Sequence, residues 1–143
     1  MSDPVLELEG LTKVYNKGRP NEVTVLQGAG LTVAEGEVVA LVAPSGAGKS
    51  TLLHIAGLLD TPDDGLVRIA GRDMTRLSDR KRTAARRDDV GFIYQFHHLL
   101  PEFSAMENIV LPQRANGVSV PAAEARALSL LGTVGVAERA AHR

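Results

Sequence analysis

Residues 5–9, Val-Leu-Glu-Leu-Glu, alternate apolar and charged, the period-two pattern of a strand with one wet face. Residues 17–22 are dense in turn formers and predict a hairpin loop, after which alternation resumes over 23–33 and a turn comes at 34–37. Residues 38–43, Val-Val-Ala-Leu-Val-Ala, differ: they are apolar without alternation, which predicts a strand buried on both faces of a parallel sheet. A glycine-rich turn then leads into a predicted helix over 49–59. Leu52, Leu53, Ile55, Ala56 and Leu59 form its apolar stripe.

Residues 61–65 read as a turn and 66–71 as a short strand. Ser78 fits the N-cap of a charged helix running to about Arg87. A further short strand is predicted over 90–94, ending at Gln95. Helices are predicted over 108–111 and 122–131, the second with Pro121 in its first turn. Only one run has the signature of a fully buried parallel strand, whereas a doubly wound sheet needs several. The chain therefore reads as an α/β piece: an antiparallel β part over about 1–35, a core over 36–95 with a partial parallel sheet, and the start of a helical part over 96–143.

The 143 residues, 44% hydrophobic and 23% charged, suffice for one core. A net charge of −1 calls for neither nucleic acid nor an anionic membrane surface. The basic stretches at Arg80 and Arg86 are interrupted by Asp79, Asp88 and Asp89 without interleaved aromatics, so they predict a solvated helix face and no nucleic-acid partner. With no cysteine, disulfides and thiolate metal sites are excluded. Adjacent His97 and His98 diverge and have no further ligand at metal spacing. The apolar run over 38–43 is six residues, against roughly 20 needed to span a bilayer. A soluble chain is expected, reaching a membrane only through a partner.

Chemistry concentrates after that run. Ala43, Pro44, Ser45, Gly46, Ala47, Gly48, Lys49, Ser50 and Thr51 match the P-loop pattern of a glycine, four residues and Gly-Lys-Ser/Thr, except that Ala43 holds the first glycine's place. A strand feeding a tight loop turns successive N–H groups inward around a phosphate. Gly46 and Gly48 permit backbone angles that a side chain resists, and the helix from Lys49 adds the positive end of its dipole. Lys49 reaches the β- and γ-phosphates of ATP, Ser50 places its hydroxyl on Mg2+, and Thr51 suits a phosphate nearer the sugar. Alanine at 43 is tolerable if its φ is negative.

A P-loop alone does not name a function. The segment Val90-Gly-Phe-Ile-Tyr-Gln-Phe, about 45 residues beyond Lys49, resembles the Q-loop of ABC ATPases. That resemblance implies that Gln95 contacts Mg2+ and the attacking water, and that the residues after it touch a membrane subunit. It also implies an antiparallel amino-terminal sheet whose aromatic residue, here Tyr15, stacks on adenine. Residues 51–65 and 91–108, above all Phe96-His-His-Leu-Leu-Pro, are similar to the ATPase subunits of lipoprotein-releasing ABC transporters. The likeness implies ATP hydrolysis that drives lipoprotein release, at the cytoplasmic face of the inner membrane. The partners it implies are integral membrane transporter subunits and a second ATPase subunit.

ABC ATPases continue with a Leu-Ser-Gly-Gly signature, a Walker B aspartate with a catalytic glutamate, and a switch histidine, none of which this sequence contains. The chain as it stands is expected not to turn ATP over, for want of a general base. Competing readings are the ATPase of a macrolide-export or cell-division system, a P-loop small-molecule kinase, and a fragment without activity. The kinase reading leaves the amino-terminal strands and the Q-loop unexplained.

Overall fold

A computed structural model describes residues 3–143, which divide into two compact units, up to Phe92 and from Ile93. The first is built on a four-stranded antiparallel sheet in the order β2-β1-β3-β4. Its strands are β1 (Pro4–Tyr15), β2 (Val23–Ala34), β3 (Asp64–Ile69) and β4 (Arg72–Asp73). The long β1–β2 hairpin matches the predicted alternation, with Leu8 opposite Leu31 and Tyr15 opposite Val23. β1 also pairs with β3, Leu8 opposite Val67, so the antiparallel sheet draws strands from both sides of the P-loop rather than from residues 1–35 alone. Gly65, at a φ of +100°, opens β3 where a Cβ would lie 2.6 Å from the carbonyl oxygens of Glu9 and Gly10.

Two helices cover one face of this sheet. Leu52 and Ile55 of α1 (Lys49–Ala56), with Ala85 of α2 (Asp79–Asp89), pack in one cluster with Leu8, Leu11, Leu26, Val67, Ile69 and Met74. Leu8, Leu11, Ile55 and Val67 are the largest fully buried side chains. Each stabilises the fold by about 1.5–3 kcal/mol through burial alone. The predicted cap of α2 is present: the Ser78 side chain accepts from the Lys81 N–H. α1 is shorter than its apolar pattern foretold. Leu58 takes a φ of +62° after Gly57 and turns the chain away, and Leu53 is exposed rather than part of the inward stripe.

Neither the parallel strand expected over 38–43 nor the short strand expected over 90–94 is formed. Neither segment belongs to a strand of the described residues, and Val38 and Ile93 are 96% and 97% exposed. A parallel strand takes its ladder from neighbours distant in sequence. The described sheet is wholly antiparallel, and neither run pairs with it.

The second unit is helical. α3 (Ala105–Ala115) starts three residues before the predicted 108 because the Ser104 side chain caps it. Ser104 Oγ accepts from the Glu107 N–H at 3.1 Å and donates to Glu107 Oε1 at 3.2 Å. α3 also runs past Pro112 to Ala115. α4 (Val120–Thr133) extends the predicted helix at both ends, with the Ser119 side chain as its cap and Pro121 in its first turn. Ala123, Ala127 and Leu131 form its buried seam, and Gln113 Nε2 of α3 donates to the Ala123 carbonyl at 3.1 Å. The division between the two compact units falls between Phe92 and Ile93.

Candidate nucleotide-binding site

The glycine-rich loop joins residues 38–43 to α1, and its backbone has the conformations that the sequence required. Gly46 and Gly48 stand at φ +81° and +92°, in the left-handed region where a Cβ is penalised. Ala43 is not among the residues with positive φ, so alanine fits where the pattern has glycine. The Ala47 N–H donates to the Pro44 carbonyl at 3.2 Å, which closes the turn. Gly48 occupies the N-cap of α1, and no side chain caps that helix, so its first-turn N–H groups are left to a ligand.

Around the loop lies an open pocket of about 460 Å³ lined by Val25, Ser45, Gly46, Gly48, Lys49, Ser50 and Thr51. One ammonium and three hydroxyls line it and no carboxylate does, a donor set suited to a polyphosphate. Lys49 Nζ donates to the carbonyls of Ala43 and, at 3.1 Å, Pro44. Those two bonds hold the ammonium at the base of the loop and leave one of its three protons for a phosphate oxygen. Among the described residues no group of three or more His, Cys, Asp or Glu could hold a metal. The residues present fit Mg2+ in the way that this ion usually enters nucleotide sites, on one protein hydroxyl and the substrate's phosphates. Ser45, Ser50 and Thr51 are the hydroxyls that line the pocket.

Tyr15, at the end of β1, is half-buried beside the helix that carries the P-loop residues. Its hydroxyl lies 3.4 Å from Thr51 Oγ1 and donates to Asp60 Oδ2 at 3.3 Å. Lys13 is on the same face of β1, two residues earlier, with its ammonium 5.5 Å from the centre of the Tyr15 ring. Lys13 Nζ also donates to Asp60 Oδ1 at 3.2 Å and to the Thr61 carbonyl at 2.7 Å. Burial pushes the Asp60 carboxyl up. The Thr61 N–H, the hydrogen bond and charge of Lys13 and the Tyr15 hydroxyl outweigh it and hold Asp60 below its ordinary range. Sequence reading missed Lys13 and Asp60. The two-residue spacing from Tyr15 was a usable signal for Lys13; nothing in the sequence marked Asp60, 45 residues away.

Gln95 lies in the second unit, exposed, in a bend that precedes the Phe96-to-Phe103 stretch. The Tyr94 and His98 rings meet edge-on at 4.8 Å, and His98 adopts a φ of +51°, so the chain turns sharply after Gln95. Phe96, Leu99 and Leu100 are exposed while Phe103 is half-buried. The Asn108 side chain accepts from the Leu100 N–H and donates to the Leu100, Phe103 and Ser104 carbonyls, pinning the loop to α3.

Residues 26–143 match the ABC transporter family profile, which starts inside β2 and takes in the P-loop and Gln95. The chain belongs to the ABC transporter family. As an ABC transporter chain it is 72% identical over 139 residues to the lipoprotein-releasing system ATP-binding protein LolD of Cereibacter sphaeroides, covering 97% of this chain and 62% of that protein. Its likeness to the LolD of Roseobacter denitrificans is 69% over 143 residues, covering 100% of this chain and 63% of that protein. Among solved structures it resembles the dimeric ATP-binding cassette MJ0796 in a post-hydrolysis state bound to ADP and Pi. That match has a TM-score of 0.87 at 36% identity and covers 96% of this chain and 60% of that one. The chain thus spans less than two thirds of the length of the ABC proteins it matches.

Proposed function

We propose that this chain is the front part of the ATP-binding subunit of a lipoprotein-releasing ABC transporter. The observation that carries the reading is the 72% identity to a lipoprotein-releasing ATP-binding protein, in a chain whose P-loop has the backbone angles and donor set of a phosphate cradle. Lys49 would neutralise the terminal phosphates, and Ser50 would give one oxygen to Mg2+. Thr51 would bind a phosphate nearer the sugar, and Tyr15 would offer its ring to adenine, a stack worth about 1–3 kcal/mol. Gln95 would contact Mg2+ and the attacking water. The bound magnesium supplies charge stabilisation to phosphoryl transfer. The residues of this chain bind and orient the nucleotide; the general base is not among them.

The partners in this reading are a second ATP-binding subunit and membrane subunits, at the cytoplasmic face of an inner membrane. No helix of the described residues is long and apolar enough to cross a membrane, so attachment would run through those subunits. The exposed Leu99 and Leu100 border a groove of about 470 Å³ with Pro101, Phe103, Val136 and Arg139, which would receive a short cytoplasmic helix. The deciding experiment uses the complete protein, reconstituted with its membrane subunits in vesicles that hold a lipid-anchored protein. ATP should release that protein, and Lys49→Ala should abolish both release and turnover. Turnover near wild type in the Lys49 variant would remove the P-loop from the mechanism. Turnover without release would remove the lipoprotein substrate.

A further inference from the structure

The hydroxyls of Tyr15 and Thr51 share one hydrogen bond, and the carboxylate beyond them decides which of the two donates. Asp60 Oδ1 accepts from Lys13 Nζ and from the Thr61 N–H at 2.8 Å, so it is committed to two donors. Asp60 Oδ2 faces Tyr15, and an ionised carboxylate only accepts. The single proton of Tyr15 therefore goes to Asp60. What remains towards Thr51 is the oxygen of Tyr15, and the pair can close only if Thr51 donates. The order of donation runs Thr51 to Tyr15 to Asp60. Thr51 lines the P-loop pocket, and in this order of donation its hydroxyl proton is spent on Tyr15.

The turn holding Asp60 is itself tied to β1. Lys13 clamps the Thr61 carbonyl, the Asp63 N–H donates to the Thr12 carbonyl at 2.8 Å, and the Val14 N–H donates to Asp63 Oδ2 at 2.6 Å. Asp60 cannot drift from Tyr15 without breaking that pairing.

We propose that Asp60 is a positioning residue that, through Tyr15, holds the proton of Thr51 away from the P-loop pocket, so that a bound nucleotide must compete with Tyr15 for it. The inference rests on the nucleotide-site reading and adds a brake to it. Asparagine at position 60 should release the brake. Its amide oxygen must stay with the two donors Lys13 and Thr61, which places its NH2 at the Oδ2 position, facing the Tyr15 oxygen. Tyr15 then accepts from residue 60 and donates to Thr51, and the Thr51 proton is free to meet a phosphate oxygen.

The test is an ADP titration of the complete protein. Asp60→Asn should tighten ADP binding by roughly two- to twelvefold, the factor that one net hydrogen bond is worth. Tyr15→Phe, which keeps the ring and removes the competing oxygen, should give a similar gain, and adding Asp60→Asn to it should give nothing more. In a Thr51→Val background Asp60→Asn should have no effect on affinity, a result that a merely structural role would not produce. Ligand-free thermal melts check that each variant folds. If Asp60→Asn does not fold, Tyr15→Phe with and without Thr51→Val carries the test. No gain in the folded variants, or a gain that survives Thr51→Val, overturns the proposal. If the wild type binds ADP and Lys49→Ala does not, such a result sinks the brake alone. If wild type and Lys49→Ala both fail to bind ADP, the nucleotide-site reading falls, and the brake falls with it.

Discussion

Gly46 and Gly48 are two residues apart in the same loop, and the structure separates two costs that a single alanine substitution usually mixes. Both sit at positive φ, +81° and +92°, so an alanine at either position meets the left-handed penalty of about 1–2 kcal/mol. Beyond that, a Cβ at Gly46 meets nothing within 4 Å. A Cβ at Gly48 would lie 3.0 Å from both Val25 Cγ1 and the Val25 carbonyl oxygen, and 3.1 Å from Leu26 Cδ2. The side chains can give a little, but the carbonyl belongs to β2, which is paired to β1 along its length. Overpacking of that kind costs about 1–3 kcal/mol, so Gly48→Ala should total about 2–5 kcal/mol and Gly46→Ala about 1–2. The loss has two outlets. If the loop stays in place, it appears as lower stability; if the loop backs away from β2, it appears as weaker nucleotide binding. The assay is urea denaturation monitored by circular dichroism, alongside an ADP titration, on the complete protein. The two losses summed should be larger for Gly48→Ala than for Gly46→Ala. Equal sums, or wild-type values for Gly48→Ala, would refute the steric reasoning.

Gln95→Ala in the complete transporter should lower coupled ATP turnover more than nucleotide affinity; a large loss of affinity with coupling intact would contradict its assigned role. Gly65→Ala should lower the melting temperature by several degrees, because its Cβ would sit 2.6 Å from two β1 carbonyl oxygens, whereas Gly71→Ala, at φ +76° in open space, should cost less. Leu99→Ala, at a side chain that is 58% exposed, should weaken co-purification with the membrane subunits by about 2 kcal/mol while leaving nucleotide binding unchanged. A joint loss of melting temperature and nucleotide binding would place Leu99 in the core.

The parts of the fold that the sequence made legible are those whose partners lie nearby. The β1–β2 hairpin could be read from alternation on either side of a turn-rich stretch, and the α2 cap from Ser78 ahead of a charged run. The P-loop was legible because its chemistry is written in consecutive residues and its glycines are demanded by backbone angles. The start of α3 is equally local: Ser104, three residues ahead of Glu107, is the capping pattern of a helix start. By contrast, the Lys13–Asp60–Tyr15–Thr51 constellation joins three stretches of chain. They meet only once β1 has paired with the turn ahead of β3, and no periodicity announces such a meeting.

Residues 38–43 and 90–94 show the limit from the other side. An unalternating apolar run states that both faces seek burial, but it does not state against what. Among the described residues neither run has a ladder partner, and Val38, Val42 and Ile93 are almost wholly exposed. At about 25 cal/mol per Å² of apolar surface, such runs are costly to leave in water. Their positions give that cost a functional meaning. The first run ends at Ala43, where the P-loop begins, and the second ends at Gln95. Burial of the first run would fix the entry to the phosphate cradle, and burial of the second would fix the residue proposed to contact the magnesium and the attacking water. The apolar surface left exposed in these two runs thus adjoins, along the chain, the P-loop and Gln95.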